Sequence, residues 1–406
     1  MKILCFIDSL GCGGAQRQLT TLAVGLKKRG HQVRCLVYYP YDHFLPLLQA
    51  EDIPCQVIPH CSHWQRALAV RRILRQDWQN VVLAFLEGPC LYAELATIPS
   101  RQWGLVAGER SGSPRIKMLT GRMKRQFHRF ADAVVCNSHS NRLMLETQLP
   151  FLKQKLTTVY NIVDLELFHP QPIEIITADN SKAIRVVVAA RYEENKNMVG
   201  VARAMLRIKE YSLVPAIKID WYGCESGDPA PYNRAARIIV ENGLSNDIQL
   251  HPPTERIANE FASADAVGLF SFYEGLPNAV SEGMACGKPI LLSNVCDAGN
   301  LVQDGKNGFL CEPNSPESIA DSLMRFAAMN KQKQLQMGLE SRRMAETLFA
   351  ENVVIERYER ILQAAASHQA VPSDCNWPMH VPESAIKMVE SKTVHRTKIN
   401  YSEESD

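Results

Sequence analysis

Short apolar runs alternate with amphipathic stretches along the first 160 residues of the chain. Each run has the length of a buried strand, and the stretch after it repeats its apolar positions with the period of a helix. The runs cover residues 3–7, 33–38, 56–58, 81–85, 104–107, 133–136 and 157–159. This alternation predicts a Rossmann-like α/β domain, in which helices cover both faces of a doubly wound parallel sheet.

The same pattern restarts after a proline-containing linker that has no clear periodicity. The predicted strands of this second half are 184–190, 216–222, 248–250, 266–270 and 290–293, and its predicted helices are 198–210, 231–242 and 316–328. We therefore expect two Rossmann-like domains that face a cleft. The expected boundaries are 1–165 for the N-terminal domain, 166–182 for the linker, 183–350 for the C-terminal domain, 351–366 for a terminal helix and 367–406 for a polar, partly disordered tail.

Two glutamates, Glu274 and Glu282, follow the fourth predicted strand of the second half. Pro277 and Asn278 suit the first positions of a short helix, and Gly287, with a proline two residues later, suits its end. Glu274 is therefore expected on a loop and Glu282 inside the helix.

This arrangement predicts a site for a phosphorylated sugar. The first amide groups of a helix, here those of Asn278, Ala279 and Val280, point outward and stabilise an anion such as a diphosphate. A carboxylate repels phosphate but accepts hydrogen bonds from the neighbouring hydroxyl groups of a sugar or a ribose. A nucleotide sugar carries all of these groups and is the predicted ligand.

The segment 271–289 closely resembles the E-x7-E signature of retaining, GT-B-fold glycosyltransferases of glycosyltransferase family 4. Within this segment the chain departs from the family pattern mainly at Gly283, where alanine is usual, and the resemblance as a whole covers about residues 1–365. It implies that the N-terminal domain holds the acceptor, that the C-terminal domain holds the nucleotide sugar, and that the terminal helix crosses back to the N-terminal domain. The donor-binding residues that it implies in this segment are Glu274, Gly275, Leu276, Pro277, Asn278, Ala279 and Glu282. Glu274 would orient the sugar, and Glu282 the ribose.

Two further loops resemble the same family. Gly13 and Gly14 come directly after the first strand, where they can turn tightly and present amide groups to the donor diphosphate. Arg191 and Lys196 follow the first strand of the second half, at a spacing that lets them bracket the same diphosphate. Taken alone, this pair could equally be solvated surface charge. Because the leaving diphosphate gains charge in the transition state, we predict Arg191, Lys196 and Glu274 as the catalytic residues.

The acceptor side of the predicted site is less well marked. Many family members carry a histidine on the loop after the fourth strand, whereas this chain has Glu87 there. We predict that Glu87, or the turn formed by Glu109 and Arg110, contacts the acceptor.

A basic amphipathic stretch at 115–130 is predicted as a helix of the N-terminal domain. Residues 111–131 contain six Lys or Arg and no acidic residue. Such a helix suits contact with an anionic membrane, and the alternative is a helix packed on the core with a solvated charged face.

Composition adds limits on partners and cofactors. Lys plus Arg number 45 against 43 Asp plus Glu, and the net charge of +2 gives no reason to expect nucleic acid as a partner. The 12 cysteines are scattered without a C-x-x-C pair, so free thiols explain them better than disulfides or a metal site. We expect no cofactor and no essential metal. Without a run of about 18 apolar residues or a cleavable leader, the chain is expected in the cytoplasm, with the inner face of the cell membrane as its place of contact with a lipid-linked substrate.

The predicted function is transfer of a sugar, with retention, from a nucleotide-diphosphate donor to a hydroxyl group of a glycan or lipid-linked glycan. The expected donor is a UDP-sugar, and the expected product belongs to a cell-surface polysaccharide or glycolipid. Two alternatives stay open: an epimerase or hydrolase of the same fold, which would consume the donor without an acceptor, and a noncatalytic protein that binds sugar nucleotides or joins a membrane complex.

Overall fold

Two parallel sheets, one in each half of the chain, form the framework of the computed structural model. The structure describes residues 1–59, 62–76, 78–110, 119–171, 183–210, 216–225 and 227–377. The strands of the N-terminal sheet are β1 (Lys2–Phe6), β2 (Gln32–Val37), β3 (Cys55–Val57), β4 (Val81–Phe85), β5 (Gly104–Glu109), β6 (Ala133–Cys136) and β7 (Leu156–Thr158). Their order is β3-β2-β1-β4-β5-β6-β7, so the direction of winding reverses between β1 and β4. A crevice opens at such a reversal, beyond the carboxyl ends of the strands.

Helices cover both faces of this sheet because consecutive strand residues point to opposite sides. On β1, Ile3 and Cys5 pack into one core cluster, whereas Leu4 and Phe6 pack into another. The helices of this half are α1 (Gly14–Lys28), α2 (Leu45–Ala50), α3 (His63–Leu74), α4 (Glu87–Ala96), α5 (Leu119–Arg125) and α6 (His139–Gln148).

The C-terminal sheet repeats the plan with order β10-β9-β8-β11-β12-β13 and a reversal between β8 and β11. Its strands are β8 (Ile184–Ala189), β9 (Ile217–Tyr222), β10 (Ile248–His251), β11 (Ala266–Leu269), β12 (Ile290–Ser293) and β13 (Gly308–Cys311). Its helices are α7 (Met198–Glu210), α8 (Ala230–Glu241), α9 (Ile257–Ser263), α10 (Asn278–Ala285), α11 (Ala298–Leu301) and α12 (Pro316–Ala327). The two doubly wound sheets confirm the predicted fold class.

Two long helices follow the C-terminal sheet and connect the two halves of the chain. α13 (Lys331–Phe349) packs on α10, and α14 (Glu351–Ala366) returns to the N-terminal half, where it packs on β5, β4 and α1. Tyr358 of α14 is fully buried, with its ring 6.4 Å from that of Phe85. The chain then docks Trp377 against Tyr160, with ring centroids 6.1 Å apart, so residues 367–377 of the expected tail lie on the N-terminal domain. The rest of the tail and residues 172–182 of the expected linker lie outside the described residues.

The prediction of one amphipathic helix over 115–130 is wrong in its described part. α5 is followed by a separate 3₁₀ helix, Gln126–Phe130, and residues 115–118 lie outside the described residues. Arg125 and His128 turn inward, because two buried carboxylates, those of Glu94 and Glu109, lie beneath them. A buried carboxylate without a basic partner would destabilise the folded state, and Arg125 and His128 supply those partners.

Candidate functional site

The loop that contains Gly13 and Gly14 and the loop that contains Glu274 face each other across the cleft. Gly13 and Gly14 start α1 after β1, whereas Asn278 starts α10 after β11. A Cβ atom built on Gly14 would lie 3.1 Å from the Asn278 side-chain nitrogen. A side chain at position 14 would therefore press on the Asn278 side chain, which shows how closely the two helix starts approach each other.

Lys196 and Glu274 form the centre of the C-terminal side of the cleft. The Lys196 Nζ atom lies 2.5 Å from a Glu274 carboxylate oxygen, and both side chains are largely buried. Asn195 holds their loops together, because its side chain donates to the Tyr273 carbonyl at 2.9 Å and accepts from the Tyr273 amide at 3.1 Å. Asn195 was not predicted as a site residue, although it lies within the segment that resembles the family.

Arg191 lies on the same loop but points to solvent. Its nearest charged partner is Glu193, at 3.1 Å, and its side chain is exposed. It therefore stands at the rim of the cleft, where a cation on a long side chain can reach a bound anion without first breaking a buried contact.

Glu282 lies inside α10, as predicted, and is buried. Its carboxylate receives a hydrogen bond from Arg17 of α1 at 2.5 Å, so this ion pair bridges the two halves of the chain. Burial raises the pKa of Glu282, and the Arg17 guanidinium partly offsets that shift. Arg17 follows Gly13 and Gly14 closely in the sequence, but no local pattern indicated which carboxylate it would reach.

The start of α10 differs in one detail from the expected anion site. The Val280 amide donates to the Pro277 carbonyl at 3.1 Å, so only Asn278 and Ala279 remain of the three amides that were expected to face a diphosphate. Pro277 itself is the N-cap residue, in extended conformation.

The remaining residues of this segment support the helix. Leu276 is buried, whereas Gly275 lies on the loop before it. Gly283 replaces the usual alanine because α10 presses on β11: a Cβ atom there would lie 2.8 Å from the Val267 side chain. The left-handed φ of +67° at Gly287 confirms the predicted helix end.

Arg110, predicted on the acceptor side, connects to the start of α10 through one intermediate residue. Its guanidinium donates to the Asn161 side-chain oxygen at 2.6 Å, and the Asn161 amide nitrogen donates to the Asn278 side-chain oxygen at 2.8 Å. Arg110 also packs 3.9 Å from the centre of the Phe85 ring and donates to the Tyr358 hydroxyl. The chain of hydrogen bonds fixes Arg110 at the cleft.

Glu87 and Glu109, the other predicted acceptor-side residues, belong to a charged cluster under α4. Glu109 is buried and binds Arg125 and His128, while half-exposed Glu87 lies 2.5 Å from Lys124. Burial by itself raises the pKa of Glu109, but His128 and Arg125 outweigh it and lower the pKa to about 2. Their contact with an acceptor stays a prediction.

Asp297 is a buried contact between the halves that the sequence did not mark. Its carboxylate accepts from the amides of His139 and Ser140 at 2.8 and 2.7 Å and from the Tyr160 hydroxyl at 3.0 Å. Burial raises the pKa of Asp297, although these donors oppose the shift. The negative charge sits at the N-terminus of α6, where the helix dipole stabilises it.

Among the residues that the structure describes, no group of three or more His, Cys, Asp or Glu is suited to hold a metal ion. None of the helices in this part of the chain is both long and apolar enough to cross a bilayer.

Two facing parallel sheets with a cleft between their carboxyl ends make up the GT-B architecture, and the comparisons agree. The chain is similar in structure to Anabaena HepE, with a TM-score of 0.78, 20% sequence identity, and coverage of 90% of this chain and 100% of that one. Two family models match in succession: Glycosyltransferase Family 4 over residues 12–167 and Glycosyl transferases group 1 over residues 173–344. The chain is therefore a GT-B glycosyltransferase, with a Glycosyltransferase Family 4 N-terminal half and a Glycosyl transferases group 1 C-terminal half.

Two sequence relatives are also named as glycosyltransferases. A Campylobacter jejuni N-acetylgalactosamine-N,N'-diacetylbacillosaminyl-diphospho-undecaprenol 4-alpha-N-acetylgalactosaminyltransferase is 23% identical over 357 residues, which cover 82% of this chain and 94% of that protein. An uncharacterized glycosyltransferase of Methanocaldococcus jannaschii is 30% identical over 116 residues, and this match spans 28% of the chain and a third of that relative's length (33%).

Proposed function

We propose that this protein transfers a sugar, with retention, from a UDP-sugar to a hydroxyl group of a lipid-linked glycan. The observation that supports it best is the pairing of two carboxylates with two cations in one cleft, Glu274 with Lys196 and Glu282 with Arg17. A nucleotide-diphosphate sugar offers hydroxyl groups to the carboxylates and a diphosphate to the cations, so it satisfies all four side chains at once.

Each side chain then has a distinct role in the proposed reaction. Lys196 and Arg191 stabilise the diphosphate as it leaves with added charge, which lowers the barrier of the chemical step. Glu274 orients the sugar, and Glu282 the ribose. The departing diphosphate accepts the proton of the acceptor hydroxyl, so the new bond forms on the face that the diphosphate leaves. The two cations take the part that a divalent metal plays in other phosphate sites, and the proposal includes no metal.

The comparisons support the choice of donor and acceptor. Anabaena HepE has been solved with UDP, with UDP and glucose, and with UDP-glucose. The Campylobacter jejuni relative is named for a diphospho-undecaprenol substrate. A lipid-linked acceptor also fits a protein that works in the cytoplasm at the inner face of the cell membrane, in polysaccharide or glycolipid synthesis.

The first experiment measures thermal stability of the purified protein with UDP, GDP, ADP, NAD and a set of UDP-sugars. A ligand at 100 times its dissociation constant stabilises the folded state by about 2.7 kcal/mol. We expect stabilisation by UDP compounds, reduced in Arg191→Ala and unchanged in Arg237→Ala, a matched exposed arginine on α8. Stabilisation by another nucleotide alone would refute the choice of donor.

The second experiment tests the chemistry with the Glu274→Gln variant. Glutamine keeps the size of the side chain but loses its charge, so hydroxyl binding and the contact with Lys196 both weaken. We expect transfer from the UDP-sugar chosen above to fall at least about a hundredfold, since one lost charged contact in a transition state costs about 3 kcal/mol. Normal transfer by this variant would refute the assigned role, and donor consumption that needs no acceptor would point to an epimerase or hydrolase instead.

A further inference from the structure

α3 presents an apolar stripe to solvent. The helix begins with a capping box, in which Ser62 and Gln65 bond to each other's backbone amide, so its register is well defined. Its inner face buries Val70 and Leu74 against the sheet. On the outer face, Trp64 and Leu68 lie one turn apart and are 80% and 62% exposed. Because they are neighbours on one helix face, they form a contiguous apolar patch, the kind of surface at which membranes and partner proteins bind.

Positive charge continues the stripe along the helix. Arg72 is exposed one turn beyond Leu68, on the same side of α3. Residues 62–76 contain four arginines and no acidic residue. Two of these, Arg71 and Arg75, donate to the carbonyl oxygens of Ile98 and Ser100, which carry no net charge and leave the arginine charges uncompensated. An apolar stripe flanked by arginine matches a partner that is both apolar and anionic.

The position of the stripe relates it to the cleft. α3 follows β3, so its first turn, with Trp64, lies at the carboxyl edge of the N-terminal sheet, where the cleft opens. α3 packs on α4, and α4 packs on α5, which exposes Met123 and Arg122.

We propose that Trp64, Leu68 and Arg72 form a docking stripe for the surface of an anionic bilayer. Tryptophan favours the boundary between headgroups and acyl chains, leucine enters the apolar layer, and arginine stays with the anionic headgroups. The stripe is separate from the basic segment at 115–130. This proposal rests on the proposed function in one respect, because a lipid-linked acceptor would explain why the protein binds a bilayer. Binding to the bilayer itself requires neither a donor nor turnover.

The test is co-sedimentation of the full chain with vesicles of phosphatidylcholine alone, and with vesicles in which about a third of the lipid is phosphatidylglycerol, at low salt. Leu68→Ser is compared with Leu339→Ser, because Leu339 is 64% exposed on α13 of the other half. Arg72→Gln is compared with Arg237→Gln on α8. Trp64→Ser is measured beside them, and the melting temperatures of all five variants confirm that they are folded.

We expect the wild type to bind the anionic vesicles and to release them as salt is raised. Leu68→Ser and Trp64→Ser are each expected to weaken binding about tenfold, since a buried leucine contributes about that factor or more. Arg72→Gln is expected to weaken it about fivefold, the contribution of one basic residue near an anionic surface. The Leu339 and Arg237 variants are expected to bind as the wild type does.

Three results would overturn the proposal. One is no sedimentation with anionic vesicles, and another is an equal loss in the control variants. The third is unchanged vesicle binding by Leu68→Ser and Trp64→Ser together with weaker transfer to a water-soluble acceptor, which would make the stripe a surface for the acceptor glycan. Loss of UDP stabilisation would bear on the proposed function alone, because vesicle binding is measured without nucleotide.

Discussion

Replacing Arg17 with alanine tests the ion pair that bridges the two halves of the protein. The guanidinium of Arg17 lies 2.5 Å from the Glu282 carboxylate, whose side chain is 10% exposed against 41% for Arg17. Burial already raises the pKa of Glu282, and Arg17 opposes that shift. Without Arg17 the ionised carboxylate stays buried with less compensation, so the folded state loses stability at neutral pH.

The size of the loss follows from the burial of the two partners. An exposed pair contributes about 0–1 kcal/mol, whereas removing one partner of a fully buried pair costs about 3–5 kcal/mol. Arg17 is more than a third exposed, and water screens its charge, so we expect a loss of about 1–2 kcal/mol. For a domain of 150–250 residues this lowers the melting temperature by roughly 2–8 °C.

The pH dependence gives the sign of the effect. Because the pKa of Glu282 is raised in the folded protein, its ionised form is the one that costs stability, and Arg17 relieves that cost only while the carboxylate is charged. The difference between wild type and Arg17→Ala is therefore largest at neutral pH, shrinks as Glu282 takes up a proton, and is absent below the unfolded value of about 4.3.

The assay is thermal unfolding of wild type, Arg17→Ala, and the double variant Arg17→Ala with Glu282→Gln, at pH 7.5 and at the lowest pH at which the wild type stays folded. The double variant should recover most of the loss, because a neutral side chain needs no counter-charge. The control is Lys28→Ala, which lies on the same helix as Arg17 and removes an exposed pair with Glu51. It should leave stability nearly unchanged. Equal stability of Arg17→Ala and wild type at pH 7.5, or a difference that does not shrink at low pH, would refute the reasoning.

Two further variants test other buried contacts. Asp297→Ala removes three hydrogen bonds between the halves, so we expect the free energy of unfolding to fall by about 3 kcal/mol. We also expect a larger radius of gyration by small-angle scattering. The control is Asp304→Ala, which removes an exposed carboxylate beside Arg325. For His128, burial disfavours the charged ring, but Glu94 and Glu109 outweigh it and raise the pKa to about 10. Below pH 6.5, where the stabilising charge is fully present, His128→Gln should lower the free energy of unfolding by about 3 kcal/mol. The two proteins should become equally stable as the pH rises through 10. Urea unfolding measures this difference, and a difference that stays constant over that pH range would contradict the prediction.

The sequence was sufficient to predict nearly all of the framework, because buried parallel strands and amphipathic helices leave strong local patterns. β11 and β12 fall where they were predicted, to within a residue. β13 (Gly308–Cys311) was missed, since it is short and begins with a glycine. That glycine is required by packing, because a Cβ atom on Gly308 would lie 2.0 Å from the Ile290 carbonyl oxygen of the neighbouring strand.

The contacts that assemble the cleft could not be predicted in the same way. Arg17 and Glu282 are 265 residues apart, and the Asp297 carboxylate reaches amides 158 and 157 residues away. A single charged residue on a loop has no period, so no local pattern shows which partner it meets. The basic stretch at 115–130 illustrates the opposite error: its periodicity was real, but the pattern could not show that Glu109 was buried beneath it.

Both carboxylates of the proposed donor site are neutralised in the structure, and they are neutralised from different halves of the chain. Lys196 reaches Glu274 within the C-terminal half, whereas Arg17 reaches Glu282 from the N-terminal half. On the proposed function, sugar hydroxyls replace the cations at the carboxylates, and the diphosphate takes the cations in exchange, so each charged side chain keeps a polar partner after binding. The donor must therefore supply enough contacts to offset two ion pairs, one of which also holds the halves together. Donor affinity and closure of the cleft are thus coupled through Arg17, and its removal should change both together, whereas changes at Lys196 should act on the donor alone.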